Sequence, residues 1–309
     1  MYLKTILRII LVSAGVALCG CGDFESTESE VIPSSVNVVF AVGNTPRTRT
    51  EYDVETKRFV WNDGDKIAVW AKSPDGSYAL DNQAFRLMAV ASDKSEAYFT
   101  ATLQSPMAEG TYSYYMTYPL PESMGGMTAT FTVPSVQDGT ASDGVDIIVA
   151  EPISGPALEP VKEAAPIVSD DVLNVRMRHL LHFLRFYIPE GNNLLGEPVK
   201  RIEVTMPQAV AGKVSVDVTD ASTVSFGEGV NGLTLELRNP IDESADGTEV
   251  AVAGIFPPRM AYSAGDRITV DAYSENKCAS VSFSLAGRDF AAGHTTKVPL
   301  KMTEAKPIE

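Results

Sequence analysis

Apolar and polar residues alternate in short runs along most of the chain, the period-two signature of half-buried strands, and helical periodicity is scarce. The runs VNVVFAV (36–42), FVW (59–61), KIAVWA (66–71), EAYFTATL (96–103), TYSYYMTY (111–118) and MTATFTV (127–133) form a first series. A second series follows: VLNVRMRHLLHFLRFYI, KRIEVTM, KVSVDV, TLELR, EVAVAGIF, RITVDAY, SVSFSLA and TKVPLKM. Gly, Pro, Asn and Asp punctuate the runs, so the pattern predicts an all-β chain of roughly fifteen strands, too many for one sandwich and enough for two. Between the series lies EPISGPALEPVKEAAP, rich in proline and acid, which places a domain boundary there. The expected domains are 35–160 and 161–309.

Residues 172–188 fit two periods. Val172, Val175, Arg176, His179, Leu180, Phe183 and Phe186 also trace a helical stripe. The aromatic tail HFLRFYI, stopped by Pro189, favours a strand.

The start of the chain follows another rule. Lys4 and Arg8 precede a short apolar run, and Leu18-Cys19-Gly20-Cys21 closes it with a small residue before a cysteine. That is a secretory signal (1–20) of the kind that ends in acylation of Cys21; a bulky Leu18 disfavours Cys19 as the modified residue. The acidic, polar segment 21–34 reads as a flexible tether. The expected location is therefore outside the cytoplasm, on an outer membrane or cell surface, held by a lipid.

Charge narrows the partners. The 309 residues carry a formal charge of −15, and the leader holds two of the positive charges, so nucleic acid and anionic headgroups are poor partners. With Cys19 removed and Cys21 acylated, Cys278 stands alone and no intramolecular disulfide is expected.

Candidate chemistry is thin. His179, His182 and His294 have no zinc-ligand spacing, and no phosphate loop, nucleophile elbow or Cys–His pair is present, so no enzyme, metal or cofactor is expected. Asp63 and Asp65 flank Gly64 as turn residues. Asp138, Asp143 and Asp146 cluster enough oxygens for calcium to be conceivable, without the EF-hand spacing. Tyr112, Tyr114 and Tyr118 share one strand face, which reads either as a surface for sugars or a protein partner or as sandwich core. Finally, VNVVFAV runs directly into GNTPRTRTE, where Arg47 and Arg49 sit in a turn-rich stretch open to an arginine-specific protease. A cut there would detach the first strand and leave an unpaired edge, a template for another chain's strand.

Six features in this order resemble the fimbrillin or minor-fimbrillin-like family of Bacteroidales type V pili. They are the cysteine at 21, VNVVFAV with TPRTRT, WNDGDKIAVWA, VQDGTASDGVDIIVA, RMRHLLHFLRFYI, and FAAGHTTKVPLKM. The resemblance implies two transthyretin-like β-sandwiches in tandem and export as a lipidated precursor. It also implies a cut after an arginine, which Arg47 or Arg49 matches, and insertion of a donor strand from a neighbouring subunit. Only TEAKPIE follows the last strand, with Pro307 inside it, which favours a tip or accessory subunit over a stalk subunit that donates a strand. The other reading of the same features is a monomeric surface lipoprotein that binds glycans or host ligands.

Overall fold

The computed structural model describes residues 35–43, 51–53, 58–90, 96–140, 145–160, 175–245 and 247–308. Cys21, the leader, the tether, Arg47, Arg49 and Asp143 lie outside them. Among the described residues every regular element is a strand. In the first half these are β1 (Val36–Gly43), β2 (Glu51–Asp53), β3 (Arg58–Val60), β4 (Lys66–Lys72), β5 (Tyr78–Val90), β6 (Glu96–Leu103), β7 (Thr111–Tyr118), β8 (Ser123–Gly125), β9 (Thr128–Val133), β10 (Val136–Gln137), β11 (Ile148–Ala150) and β12 (Ile153–Pro156). The second half has β13 (Met177–His179), β14 (His182–Pro189), β15 (Val199–Thr205), β16 (Ala211–Asp217), β17 (Val224–Val230) and β18 (Gly232–Ile241). It continues with β19 (Glu243–Ser244), β20 (Ala251–Ile255), β21 (Arg267–Tyr273), β22 (Lys277–Ser284), β23 (Thr295–Pro299) and β24 (Lys306–Pro307).

An eight-stranded sheet runs β1-β6-β5-β4-β7-β11-β13, with β12 also on β7. A six-stranded sheet runs β10-β18-β15-β21-β22-β24. Two four-stranded sheets hold β19, β14, β20 and β23, and β17-β16-β9-β8, while β2 and β3 pair with each other. The all-β expectation holds. Residues 172–188 hold strand and not helix where described, but not one strand: β13 begins at Met177, Leu180 and Leu181 interrupt the run, and β13 and β14 join different sheets.

Three apolar cores explain these sheets. One face of the eight-stranded sheet buries Val38, Phe40, Ile67, Val69, Phe85, Phe99 and Tyr114. A second core packs Leu184, Phe186 and Ile188 of β14 against Ile202, Leu235 and Val270 of the six-stranded sheet. The third sets Ala68 and Trp70, on the opposite face of β4, against Phe131, Val214 and Phe183. That double duty explains why KIAVWA reads as a continuous apolar run: Ile67 through Ala71 are wholly buried although their ladders are antiparallel.

Three ladders, β9 with β16, β10 with β18 and β11 with β13, cross the sequence boundary at 160 and 161. A buried side chain strengthens that connection. The Gln137 amide donates to Gly254 O at 2.8 Å and accepts from Gly254 N at 3.0 Å. Position 254 needs glycine for close approach, because a Cβ there would lie 2.4 Å from Val145 O.

Candidate functional site

The strand VNVVFAV owes its position to its alternation. Val38 and Phe40 of β1 point into the first core and are 0% and 1% exposed, while Asn37 before them faces solvent and Val39 between them is partly exposed. Phe40 packs edge-on to Phe85 at 6.1 Å between ring centroids and tilted over Tyr114 at 5.8 Å. Burying these two side chains stabilises the fold by roughly 3–6 kcal/mol.

The backbone is held along its whole length. β1 pairs antiparallel with β6 from Val36 opposite Leu103 to Gly43 opposite Glu96. Thr100 Oγ1 donates to Val38 O at 3.0 Å, and Thr102 Oγ1 donates to Asn37 Oδ1 at 2.7 Å. On its other side Val38 bridges Pro160. Since β12 leads from β7 to that proline, β1 closes a ring of paired strands, and without it an apolar slot would open between β6 and residues 157–160. A replacement strand would need apolar residues at alternate positions to fill the seats of Val38 and Phe40, and β6 would supply the ladder.

Tyr112, Tyr114 and Tyr118 share one face as expected, and that face lies in the first core, with Tyr114 against Phe40 of β1 and Tyr118 against Trp61. They are 6%, 1% and 6% exposed. Their hydroxyls are committed inward: Tyr112 to Ala108 O at 2.8 Å, Tyr114 to Pro156 O, Tyr118 to Asp65 Oδ1 at 3.1 Å. Burial pushes the Tyr114 phenol well up, so it stays a neutral donor. Of the two readings of this face, sandwich core is the one the structure shows; the sequence leaves both open because an aromatic row has the same period-two spacing whether its face meets solvent or core.

The acidic residues also take structural roles. Asp65 closes the turn at Gly64, accepting from Asn62 N at 2.7 Å. Asp138 accepts from Thr140 N at 2.9 Å and pairs with Arg238 at 2.7 Å. Asp146 is buried against His179 Nδ1, with its two oxygens 2.9 and 2.7 Å away. Burial pushes the Asp146 carboxyl up while the His179 ring opposes that shift. Two of the three aspartates considered for calcium are thus engaged by basic side chains, and no three acidic, His or Cys residues gather as a metal site among the described residues.

His182 is wholly buried too. Its Nδ1–H donates to Ala291 O at 2.9 Å and Nε2 accepts from Thr296 Oγ1 at 3.0 Å, a pattern that suits the neutral ring. Burial lowers its pKa from 6.5 to about 4; the Ala291 bond opposes this, His294 adds to it, and Asp289 opposes it weakly. The unfolded chain protonates at 6.5, so acid favours unfolding. Stability should fall as pH drops from 6.5 to 4, by up to about 3 kcal/mol from this group. Urea unfolding across that window checks it: His182→Gln should flatten the slope, and an unchanged slope contradicts the assignment.

Cys278 is a free thiol, half-buried in β22. Beside it Lys306 and Pro307, which follow the last strand the sequence predicts, form the short β24 on Cys278 and Lys277, and Ile308 N donates to Asn276 O at 3.0 Å.

No family model matches the sequence, and no curated protein matches it. Solved structures do. A candidate cell adhesion protein from Bacteroides uniformis aligns over 88% of this chain and 96% of its own, at 16% identity and TM-score 0.54. A second candidate cell adhesion protein, from Bacteroides ovatus, aligns over 89% and 96% at 11% identity and TM-score 0.50. The chain shares their all-β sandwich fold.

Proposed function

We propose that this chain is a cell-surface adhesion subunit of the fimbrillin kind, exported as a lipidated precursor in which β1 is a provisional occupant of its slot. The observation that carries the reading is the position of β1. It supplies the wholly buried Val38 and the nearly buried Phe40 to the first core, yet in sequence only 44–50, with Arg47 and Arg49, link it to the next strand. Cleavage after either arginine would cut the strand and its Cys21 anchor from the rest of the chain. A neighbouring subunit's strand would then pair with β6 and seat apolar side chains where Val38 and Phe40 were. The fold shared with candidate cell adhesion proteins supports the adhesive part, and the resemblance in six ordered segments supports the fimbrial part.

The two sandwiches of this subunit would be 35–160 and 161–309, meeting at the third core. The role is that of an acceptor in a tip or accessory position, since β24 is engaged with its own β22.

Digestion of the purified chain with an arginine-specific protease tests the slot. The expected product begins at Thr48 or Thr50 and, once β1 has been displaced, captures a synthetic peptide of sequence VNVVFAVG. A cut product that neither releases its first strand nor takes up the peptide would end this reading.

A further inference from the structure

β13 is the outer strand of the eight-stranded sheet, at the end remote from β1 in strand order. Buried and exposed residues alternate through it and the two residues before it: Val175, Met177 and His179 turn inward, Arg176 and Arg178 outward. Both guanidinium groups therefore leave the same face of the strand two residues apart. They line a cavity of about 510 Å³ whose wall also includes Glu151, Met177, His179 and Gly293. That is the size of a pocket for a small organic ligand.

Three features give the cavity a sign and a shape. Arg178 has a loose contact with Glu151 at 3.9 Å, both side chains half-exposed, and Asp220 lies near enough to feel its charge. Arg176, exposed beside it, makes no ion pair among the described residues, so the described wall holds two guanidinium groups against the one Glu151 carboxylate. The strand also offers a backbone donor. Glu151 N donates to Arg176 O and Leu180 N to Ile147 O, both at 2.8 Å. Those bonds make Ala150 and Met177 a non-hydrogen-bonded pair, so the Met177 N–H points away from β11 at the open edge. Behind it, the buried Asp146–His179 contact fixes the end of β13. Gly293 of the same wall has φ +73°, and a Cβ there would meet the His179 Cβ at 3.7 Å, so glycine suits both the backbone and the close packing at this point.

We propose that this cavity binds a carboxylate-bearing small ligand. Arg176 takes the carboxylate in a two-pronged contact, Arg178 contributes a second positive group, and the Met177 N–H adds a neutral donor. The carboxylate can belong to an acidic sugar or to a peptide C-terminus, and the site is independent of whether β1 leaves.

Titration of the full-length chain with methyl glucuronide and with acetyl-diglycine separates the two sources, with methyl glucoside and acetyl-diglycine amide as neutral controls. Saturable binding of one or both acids, with neither control bound, is expected. Arg176→Ala should weaken it by roughly tenfold and the double variant with Arg178→Ala should abolish it, with unchanged melting temperature because both side chains are exposed. Ala292→Trp, on the exposed wall, should also abolish it by filling the space. Preference for the glucuronide identifies a sugar acid, and equal binding identifies the bare carboxylate. The proposal is overturned if neither acid binds at about 10 mM, or if binding survives in the double variant.

Discussion

Phe40→Ala should lower the stability of the uncut chain by about 3–5 kcal/mol, the cost of truncating a buried phenylalanine. The ring touches both Phe85 and Tyr114, and neither neighbour can collapse freely into the vacancy because both are wholly or nearly buried themselves. Val39→Ala, one position along on the partly exposed face, should cost well under half as much. Urea unfolding of the two variants gives the comparison. The same substitution has a second consequence after cleavage between β1 and β2. There the ladder to β6 and the seats of Val38 and Phe40 are what retain the severed strand, so Phe40→Ala should release β1 faster than the parent sequence does. A large loss of stability with no change in release would mean that the ladder alone holds the strand.

Asp146→Ala should cost about as much, about 3–5 kcal/mol, because it leaves His179 buried without its carboxylate partner. The pair joins the segment before β11 to β13, at 1% and 3% side-chain exposure. Taking both groups away is a different experiment. Asp146→Leu with His179→Leu removes two desolvated polar groups at once, and it should be much less destabilising than the single change. Equal costs for the single and double variants would show that the pair does not act as a unit. Asp146→Asn should fall between them, since the amide oxygen can still accept from Nδ1.

Much of the fold was legible in the sequence, and the reasons are local. A strand carries its own evidence in period-two alternation, so β1, β6, β7 and β9 were readable from runs such as VNVVFAV and MTATFTV. KIAVWA was readable as a strand but not as one buried on both faces, because a continuous apolar run does not say what covers each side. The stretch 172–188 could be assigned as strand from its aromatics and Pro189, whereas the break at Leu180 and Leu181 depends on which sheet each half joins. Nothing in the local pattern around residue 160 announced that β9, β10 and β11 would pair with strands from beyond it.

The site divides along the same line. That Arg47 and Arg49 follow the first strand is plain from the sequence, and so is the apolar alternation that makes the strand a plug. Tyr112, Tyr114 and Tyr118 could be placed on one face, but only the position of β1 above them decides that the face is core. The contact between Asp146 and His179 spans 33 positions and had no local signal, and Asp146 had been grouped with Asp138 for its oxygens alone. Of the outward pair, Arg176 stood only in a stripe that also traces a helix, and Arg178 had no signal of its own. The strand assignment of that stretch puts both on one face, yet says nothing of a cavity beside them.

The central claim is that β1 is a removable occupant of the first sandwich, and the N-terminal sequence of the protein shed from its native cell surface tests it most directly. The prediction is a chain beginning at Thr48 or Thr50, without β1. A chain that begins only at an acylated Cys21, with β1 retained in every molecule, would contradict it.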